Sequence, residues 1–342
     1  MDKIRIGVVG GAGGIGWGSH LPAIEALPVA ELAAICDLPG EALDETAARY
    51  GVDAYDNLEG MLRRDDIDLV DITSPDFLHA EHAIAAARAG KHILCEKPMA
   101  LSLDEAAGMK RAVQAAGVKF MMAQSQRWRP ECIAFRRACE KIGTPAFTAY
   151  HVKGRHFNYP PDSFYRKKES LGQFVHNGMH WVDFICWCIG SLPVRVYAAG
   201  TRHYPTEDQL ETDNYFVANV TYDSGAIGVY ELNLLMLDPP GFPTEVRWYV
   251  VGDEGTAEHC PPATRQVEAF GPGGMSYPAT GPSGTDRDPF RGEIGHMCSC
   301  ILRDEPPSIS MDWSIRVLAT CLGVVKSAQT HEPVDLAAPA KA

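Results

Sequence analysis

A glycine-rich turn near the N-terminus constrains the fold of this chain more than any other feature. The turn, GGAGGIG at positions 10–16, follows an apolar run at 4–9 and precedes a helical pattern at 22–27. Gly11, Gly13 and Gly16 fit the spacing G-x-G-x-x-G, which allows a tight turn and close approach of the backbone to a pyrophosphate. The following helix directs its N-terminus at that negative charge. The pattern predicts a dinucleotide-binding unit.

An acidic residue at the end of the second predicted strand favours one nicotinamide cofactor. Asp37 comes directly after the apolar run at 30–36, about 20 residues beyond the glycines. A carboxylate there accepts hydrogen bonds from the ribose hydroxyls and repels a 2′-phosphate. No Arg or Lys follows closely in Leu38-Pro39-Gly40. The sequence therefore favours NAD over NADP.

The pattern of predicted secondary structure changes near residue 125. Up to there, short apolar runs alternate with helical patterns, which predicts a parallel sheet with helices on both faces. Beyond it, runs of period two follow one another closely, which predicts an antiparallel sheet. The predicted strands are 4–9, 30–36, 69–72, 92–95, 119–123, 146–152, 194–200, 214–222, 226–235 and 246–251. The predicted helices are 22–27, 41–50, 79–89, 103–116, 175–189, 291–302 and 312–329, with a long loop at 260–290. We expect two domains, 1–125 for NAD and 126–342 for the substrate.

Composition narrows the class of protein. The chain has 342 residues, 46% of them hydrophobic, and a net charge of −13, which disfavours nucleic acid and anionic membranes as partners. We find no apolar run long enough for a membrane helix and no signal peptide, so a cytoplasmic protein is expected. The ten cysteines, including the pairs Cys186-x-Cys188 and Cys298-x-Cys300, lack zinc-site spacing and are interpreted as buried thiols.

Three further stretches carry groups suited to chemistry. Thr73-Ser74-Pro75-Asp76 and Glu96-Lys97-Pro98 each follow a predicted parallel strand, where ligands bind in open α/β sheets. A cis Lys97–Pro98 bond would suit such a turn. His176, His180 and Asp183 have helical spacing and are predicted to share one face. They could also be metal ligands by residue type, but we predict no metal.

In order along the chain, these motifs resemble those of the Gfo/Idh/MocA family of nicotinamide-dependent oxidoreductases. The resemblance includes His20-Leu21-Pro22, Ser74-Pro75 with His79, Ala89-Gly90-Lys91-His92, Glu96-Lys97-Pro98, Gly178-Met179-His180 and Gly252-Asp253-Glu254-Gly255-Thr256. It implies a Rossmann domain followed by an α/β domain with a large open, mostly antiparallel sheet used for oligomer contacts. It also implies oxidation or reduction of sugars, cyclitols and related alcohols, with Lys97 orienting the substrate hydroxyl and His180 taking the proton.

The sequence departs from the family at His176, where the family commonly has Asp. Two imidazoles near a lysine and an oxidised nicotinamide should disfavour one another's protonation, so either His176 or His180 could be the base. The predicted catalytic residues are therefore Lys97, His180 and His176. The predicted cofactor-binding residues are Gly11, Gly13, Gly14, Ile15, Gly16, Asp37, Ser74, Pro75, His79, Glu96, Lys97 and Gln124. The predicted substrate-binding residues are Lys97, Arg127, Trp128, Arg155, Tyr165, His176 and His180.

The leading hypothesis is an NAD-dependent dehydrogenase that oxidises a secondary hydroxyl of a sugar, glycoside or cyclitol and forms a homodimer or homotetramer. Three alternatives stay open. The first is redox-neutral cleavage of a glycoside through a transient keto-sugar, the second is a dihydrodiol or semialdehyde dehydrogenase, and the third is a regulatory protein that senses NAD.

Overall fold

In the computed structural model, the chain folds into two compact units. The described residues are 3–155, 163–202, 210–236, 245–259, 267–271, 273–276 and 288–336. The first unit comprises Met1–Trp128 and Asp288–Ile315, and the second comprises Arg129–Arg287 and Arg316–Ala342. The first break falls within a few residues of the predicted boundary. The segment Asp288–Ile315 differs from the prediction, because it groups with the first unit rather than the second.

The first unit is built on a parallel six-stranded sheet. Its strands are β1 Ile4–Val9, β2 Ala30–Cys36, β3 Asp53–Tyr55, β4 Leu69–Ile72, β5 His92–Cys95 and β6 Phe120–Met122. Its helices are α1 Leu21–Glu25, α2 Glu41–Tyr50, α3 Leu58–Leu62, α4 His79–Arg88 and α5 Leu103–Ala116, joined later in the chain by α9 Pro289–Leu302. The strand order is β3-β2-β1-β4-β5-β6, so the order reverses between β1 and β4. In such sheets a dinucleotide binds where the order reverses, beyond the carboxyl ends of the strands.

Helix α9 completes the core of this unit from near the end of the chain. Ile294, Met297 and Cys298 are fully buried and pack in the same apolar cluster as Ile6 of β1 and Leu94 of β5. The sequence prediction assigns this helix to the second domain by its position in the chain. An amphipathic pattern shows which face of a helix is buried, but it does not show which domain that face packs against.

The second unit is built on a mixed, mostly antiparallel sheet. Its described strands are β7 Pro145–Arg155, β8 Pro193–Thr201, β9 Tyr215–Tyr222, β10 Ile227–Met236, β11 Glu245–Gly252, β12 Thr256–His259, β13 Val267–Gly271, β14 Gly274–Ser276 and β15 Val334–Asp335. Its helices are α6 Pro130–Cys139, α7 Gly172–His176, α8 Gly178–Ile189 and the larger part of α10 Met311–Thr330. The order is β14-β13-β12-β11-β7-β10-β9-β8-β15, and only β7 and β10 pair in parallel among these strands. The expected combination of a parallel Rossmann sheet and a large antiparallel sheet is confirmed.

The predicted strands and helices are confirmed with ends shifted by a few residues, and the sequence did not predict several further elements. The elements that the sequence does not predict include β3, α3 and α6, together with the short strands β13, β14 and β15 at the edges of the second sheet. The predicted loop at 260–290 is wrong at 267–271 and 274–276, where β13 and β14 pair and Gly274 turns the chain at a φ of 94°. Glycine there marks a hairpin turn rather than a loop without structure. The rest of that loop lies largely outside the described residues.

Aromatic side chains form the core of the second unit. Tyr150 of β7 stacks between Trp181 of α8 and Trp248 of β11, with ring centroids 5.6 and 5.4 Å away. Phe184 packs edge-on against Trp248. The nine described cysteines of the chain are buried free thiols, as expected. Among the described residues, no helix is both long enough and apolar enough to cross a membrane.

One buried histidine makes the stability of the second unit depend on pH. His259 lies parallel to Trp248, with centroids 3.6 Å apart, and burial lowers its pKa to about 4 from the ordinary 6.5. The unfolded chain therefore binds a proton at this histidine more tightly than the folded chain does. The contribution of the neutral ring to the free energy of unfolding is complete above pH 6.5 and declines as the pH falls towards 4.

We expect this histidine alone to lower the free energy of unfolding by up to about 3 kcal/mol between neutral pH and pH 4. The variant His259→Phe keeps an aromatic ring but cannot titrate, so it should lose this part of the pH dependence. Chemical denaturation of both proteins at several pH values measures the difference. His331→Asn removes an exposed imidazole and is the control. A wild-type-minus-variant difference that is constant with pH would contradict the assignment.

Candidate active site

The glycine turn packs against the ends of β1 and β4 as a dinucleotide-binding turn requires. Gly10 has a φ of 81°, and a Cβ there would lie 2.6 Å from the backbone N of Ser74. A Cβ at Gly16 would lie 2.5 Å from Oγ1 of Thr73 and 2.6 Å from the carbonyl oxygen of Gly10. A Cβ at Gly13 would meet no atom within 4 Å. Gly10 and Gly16 hold the turn against the sheet, while Gly13 leaves its backbone open to a pyrophosphate.

Asp37 is attached to this turn by its own side chain. Its Oδ2 accepts a hydrogen bond from the Ala12 N–H at 2.8 Å, and its Oδ1 accepts one from the Leu38 N–H at 2.7 Å. Each carboxylate oxygen can accept a second bond, so ribose hydroxyls can still be held there. Ile15 and Leu38 are exposed apolar side chains, and they flank the turn and the acid in sequence. These residues fit a nicotinamide dinucleotide.

The loop after β4 is held to the loop after β5 by a histidine. His79 Nε2 contacts the carbonyl oxygen of Ser74, and its Nδ1 contacts that of Pro98, both at 2.7 Å. The Ser74 hydroxyl pairs with Nδ1 of His82 at 3.0 Å. Pro75 is exposed beside them. His79 was predicted as a cofactor contact, and its ring is directed to two backbone carbonyls that it holds in place.

Lys97 follows β5 in the sequence Glu96-Lys97-Pro98, and the Lys97–Pro98 bond is cis as the sequence suggested. Its side chain is half-buried. Burial lowers the pKa of Lys97, an effect that the charges of Glu96 and Asp76 oppose. The ammonium group therefore lies in a partly dry position at the carboxyl edge of the parallel sheet, where its charge acts more strongly than in water.

A buried, hydrogen-bonded cluster of polar side chains adjoins Lys97, and the sequence does not predict most of its members as site residues. His20 Nδ1 lies 2.8 Å from Oδ2 of Asp71 in β4, and its Nε2 lies 3.1 Å from Oε1 of Glu96. Oε2 of Glu96 accepts a hydrogen bond from the Lys97 backbone N–H at 2.9 Å. Glu293 of α9 comes within 4.8 Å of His20 and Glu96. Asp71 could have been noticed as an acid inside an apolar strand, whereas Glu293 gave no comparable signal.

The predicted residues after β6 pack within the first unit. Gln124 is fully buried, and its carbonyl oxygen accepts a hydrogen bond from the Arg127 N–H. The Arg127 guanidinium lies 5.1 Å from the ring centroid of Trp313. Trp128 packs on α9, with its ring 5.0 Å from that of His296. The assignment of Arg127 and Trp128 to the substrate stays a prediction.

The two predicted histidines of the second unit lie on either side of a break in the helix. His176 ends α7, and His180 lies in the first turn of α8, with Asn177 between the helices. Both imidazoles are half-buried, whereas Asp183 is buried. Tyr165 approaches His176, with ring centroids 4.6 Å apart. The backbone of Arg155 ends β7, but its side chain lies outside the described residues.

Comparisons with known proteins agree with this architecture. The profile described as "Oxidoreductase family, NAD-binding Rossmann fold" matches residues 4–124, and the profile "GFO/IDH/MocA C-terminal domain" matches residues 138–258. The chain is 30% identical to D-xylose 1-dehydrogenase (NADP(+)) 2 of Haloferax volcanii, over 97% of this chain and all of that one. It is 26% identical to inositol 2-dehydrogenase of Rubrobacter xylanophilus, over 99% and 95% of the two chains.

Solved structures share the fold over nearly the whole length. The aldose-aldose oxidoreductase of Caulobacter crescentus, solved with glycerol, superposes with a TM-score of 0.84 at 22% identity, covering 98% of this chain and 100% of that one. A levoglucosan dehydrogenase in complex with NADH and L-sorbose superposes with a TM-score of 0.86 at 22% identity and the same coverage. With the glycine turn, Asp37 and both profile matches in place, the chain belongs to the Gfo/Idh/MocA family of NAD(P)-binding oxidoreductases.

Proposed function

We propose that this protein is an NAD-dependent dehydrogenase that oxidises a secondary hydroxyl of a sugar, glycoside or cyclitol. The observation that carries the proposal is the position of Lys97, half-buried at the carboxyl edge of the sheet whose neighbouring strands hold the glycine turn. Relatives named for xylose and inositol oxidation support the substrate class. We assign cofactor binding to residues 1–125 and substrate binding to residues 126–342, with Lys97 contributing to both.

The residues of this chain have separate tasks in the proposed reaction. NAD, when bound, accepts the hydride from the substrate carbon. Asp37 and the glycine turn hold its ribose and pyrophosphate. The Lys97 ammonium stabilises the negative charge that develops on the substrate oxygen as the hydroxyl loses its proton. His180 takes that proton, since an imidazole titrates near neutral pH, and His176 shares or assists this role.

The first test is oxidation itself. Purified protein with NAD and a panel of aldoses, cyclitols, glycosides and sugar acids should form NADH steadily with one substrate class. Nucleotide released on denaturation should be assayed in parallel. Consumption of a glycoside without net NADH, with NAD retained by the protein, would replace the proposal with redox-neutral cleavage. No turnover and no bound nucleotide would refute both.

Replacing the proposed catalytic groups should slow turnover without loss of NAD binding. We expect Lys97→Met to lower kcat at least about a hundredfold, because the developing oxyanion loses its cation. His180→Gln should lower kcat by a comparable factor and remove the acid limb of the pH–rate profile. Lys326→Met, at an exposed position of α10, is the matched control. If His176→Ala keeps the wild-type turnover and pH profile, His176 is not part of the base.

Removal of the Asp37 charge should relax the choice of cofactor. Asp37→Asn keeps an oxygen that can accept the Ala12 N–H, but it no longer repels a 2′-phosphate. We expect the ratio of kcat/KM for NAD to that for NADP to fall at least about tenfold. Asp44→Asn, in the exposed first turn of α2, controls for the change in net charge. A wild-type protein that prefers NADP would contradict this part of the proposal.

Two further expectations concern assembly and location. Tyr197 and Ile227 are 46% and 54% exposed on the strands of the second sheet, and a self-associating sheet face would cover such side chains. We therefore propose a homodimer or homotetramer, which light scattering of the eluted protein would identify. The free thiols suit a reducing compartment, and we propose the cytoplasm.

A further inference from the structure

Four buried polar side chains from four parts of the first unit cluster around Glu96, the residue that precedes Lys97. His20, Asp71 and Glu293 are fully buried, and Glu96 is nearly so. His20 bonds a carboxylate through each of its ring nitrogens. Neither carboxyl oxygen of Glu293 makes a hydrogen bond of good geometry among the described residues, although the backbone of Gln124 lies near this carboxyl group. Three acids and one imidazole in a dry interior need a definite arrangement of protons, since uncompensated buried charge is very costly.

The surroundings indicate where the protons are. Burial by itself lowers the pKa of His20, but Asp71 and Glu96 outweigh it and hold that pKa well above its ordinary value. Burial and the charges of Glu96 and Asp71 raise the pKa of Glu293, although His20 and the Gln124 backbone oppose them. An imidazolium between two carboxylates, with Glu293 as a neutral acid, therefore leaves one negative charge within this cluster. The Lys97 ammonium lies beside that charge and also faces the carboxylate of Asp76.

A metal ion fits this arrangement poorly, although the residue types would suit one. The ligand atoms of His20, Glu96 and Glu293 lie within 4.8 Å of one another. However, Nε2 of His20 pairs directly with Glu96, and Nδ1 pairs with Asp71. No ring nitrogen is left to coordinate a cation unless one of these bonds breaks.

We propose that His20 and Glu293 are positioning residues for Lys97. His20 holds one oxygen of the Glu96 carboxylate, and Glu293 limits where that carboxylate can lie. The other oxygen of Glu96 then holds the backbone N–H of Lys97 and so fixes the start of its side chain. The proposal rests on the proposed role of Lys97 in the oxidation. A displacement of about 1 Å at such a group can cost about a hundredfold in rate.

A purely structural role predicts a different outcome on mutation. Replacing a buried charged chain by apolar side chains of similar size is often neutral or stabilising, whereas removing one partner leaves a buried charge and destabilises. The double variant His20→Phe/Asp71→Leu removes two partners together and should stay folded. If the four polar side chains serve only the stability of the fold, the folded double variant should turn over substrate at the wild-type rate.

We expect the double variant to keep its melting temperature within a few degrees and its KM for NAD within about threefold. Its kcat should fall ten- to a hundredfold. Glu293→Leu should lower kcat by a similar factor. Glu293→Gln should keep kcat close to the wild-type value, because an amide resembles the neutral acid in shape and in hydrogen bonding. His92→Gln, at the opposite end of β5, is the matched control.

The pH–rate profile adds a second readout. Titratable groups that face Glu96 and Lys97 come from several elements, namely His20, Asp71, Asp76, Cys95 and Glu293. The His20→Gln variant loses the positive charge beside Glu96. The Glu96 carboxylate is then no longer neutralised by an imidazolium, and its negative charge raises the pKa of the Lys97 ammonium. The alkaline limb of the pH–rate profile, where Lys97 loses its proton, should therefore move to higher pH. A variant that lowers only the folded fraction would leave the profile in place.

The charge of His20 can be measured without any turnover. In NMR spectra of protein with carbon-13-labelled histidine, the His20 signal is the one absent from His20→Gln. We expect it to show an imidazolium at a pH where free imidazole is neutral. If the sugar panel gives no product, this measurement still tests the chain of charges, while the oxidation proposal fails separately.

Three results would overturn the inference. One is a neutral His20 under those conditions. Another is a stoichiometric metal ion in the purified protein that Glu293→Gln removes. The third is an unchanged kcat and pH profile in the His20→Phe/Asp71→Leu protein while Lys97→Met is inactive, which would leave the proposed function standing without this network.

Discussion

The contact between the glycine turn and the end of β4 is the constraint on which the first unit depends. Gly10 and Gly16 lie so close to Ser74 and Thr73 that any side chain would push β1 and β4 apart. These two strands are neighbours where the strand order reverses. The same contact keeps Asp37 in hydrogen-bond reach of the turn and holds the loop of Ser74 beside it. Backbone packing thus prepares the nucleotide site before any ligand arrives.

Local patterns predicted much of this molecule. The bounds of β1, β2, β4 and β5 follow from compact apolar runs, since strands buried on both faces are continuously hydrophobic. The Gfo/Idh/MocA resemblance, confirmed by matches to both domains, comes largely from motifs at the ends of those strands and also from short motifs in α8 and between β11 and β12. Such motifs are short, and turn geometry fixes them, so one sequence suffices to find them.

Long-range burial could not be predicted in the same way. Glu293 lies in a helical pattern that reads as an ordinary amphipathic segment, and nothing near it in sequence identifies His20 or Asp71 as neighbours. His79 shows a related limit, because the motif resemblance predicts a cofactor contact but does not show that both ring nitrogens face backbone carbonyls. Proximity in space, rather than residue type, decides these roles.

The late return of α9 to the first unit has a consequence for how the chain acquires its structure. Ile294, Met297 and Cys298 belong to the same buried cluster as β1, so that core stays incomplete until residues 289–302 have left the ribosome. Strands β7 to β14 of the second unit's sheet are synthesised in the interval, and β15 follows α9. A fragment ending at residue 128 would expose the apolar surface that α9 covers, so a transplantable nucleotide-binding module must include both stretches of sequence.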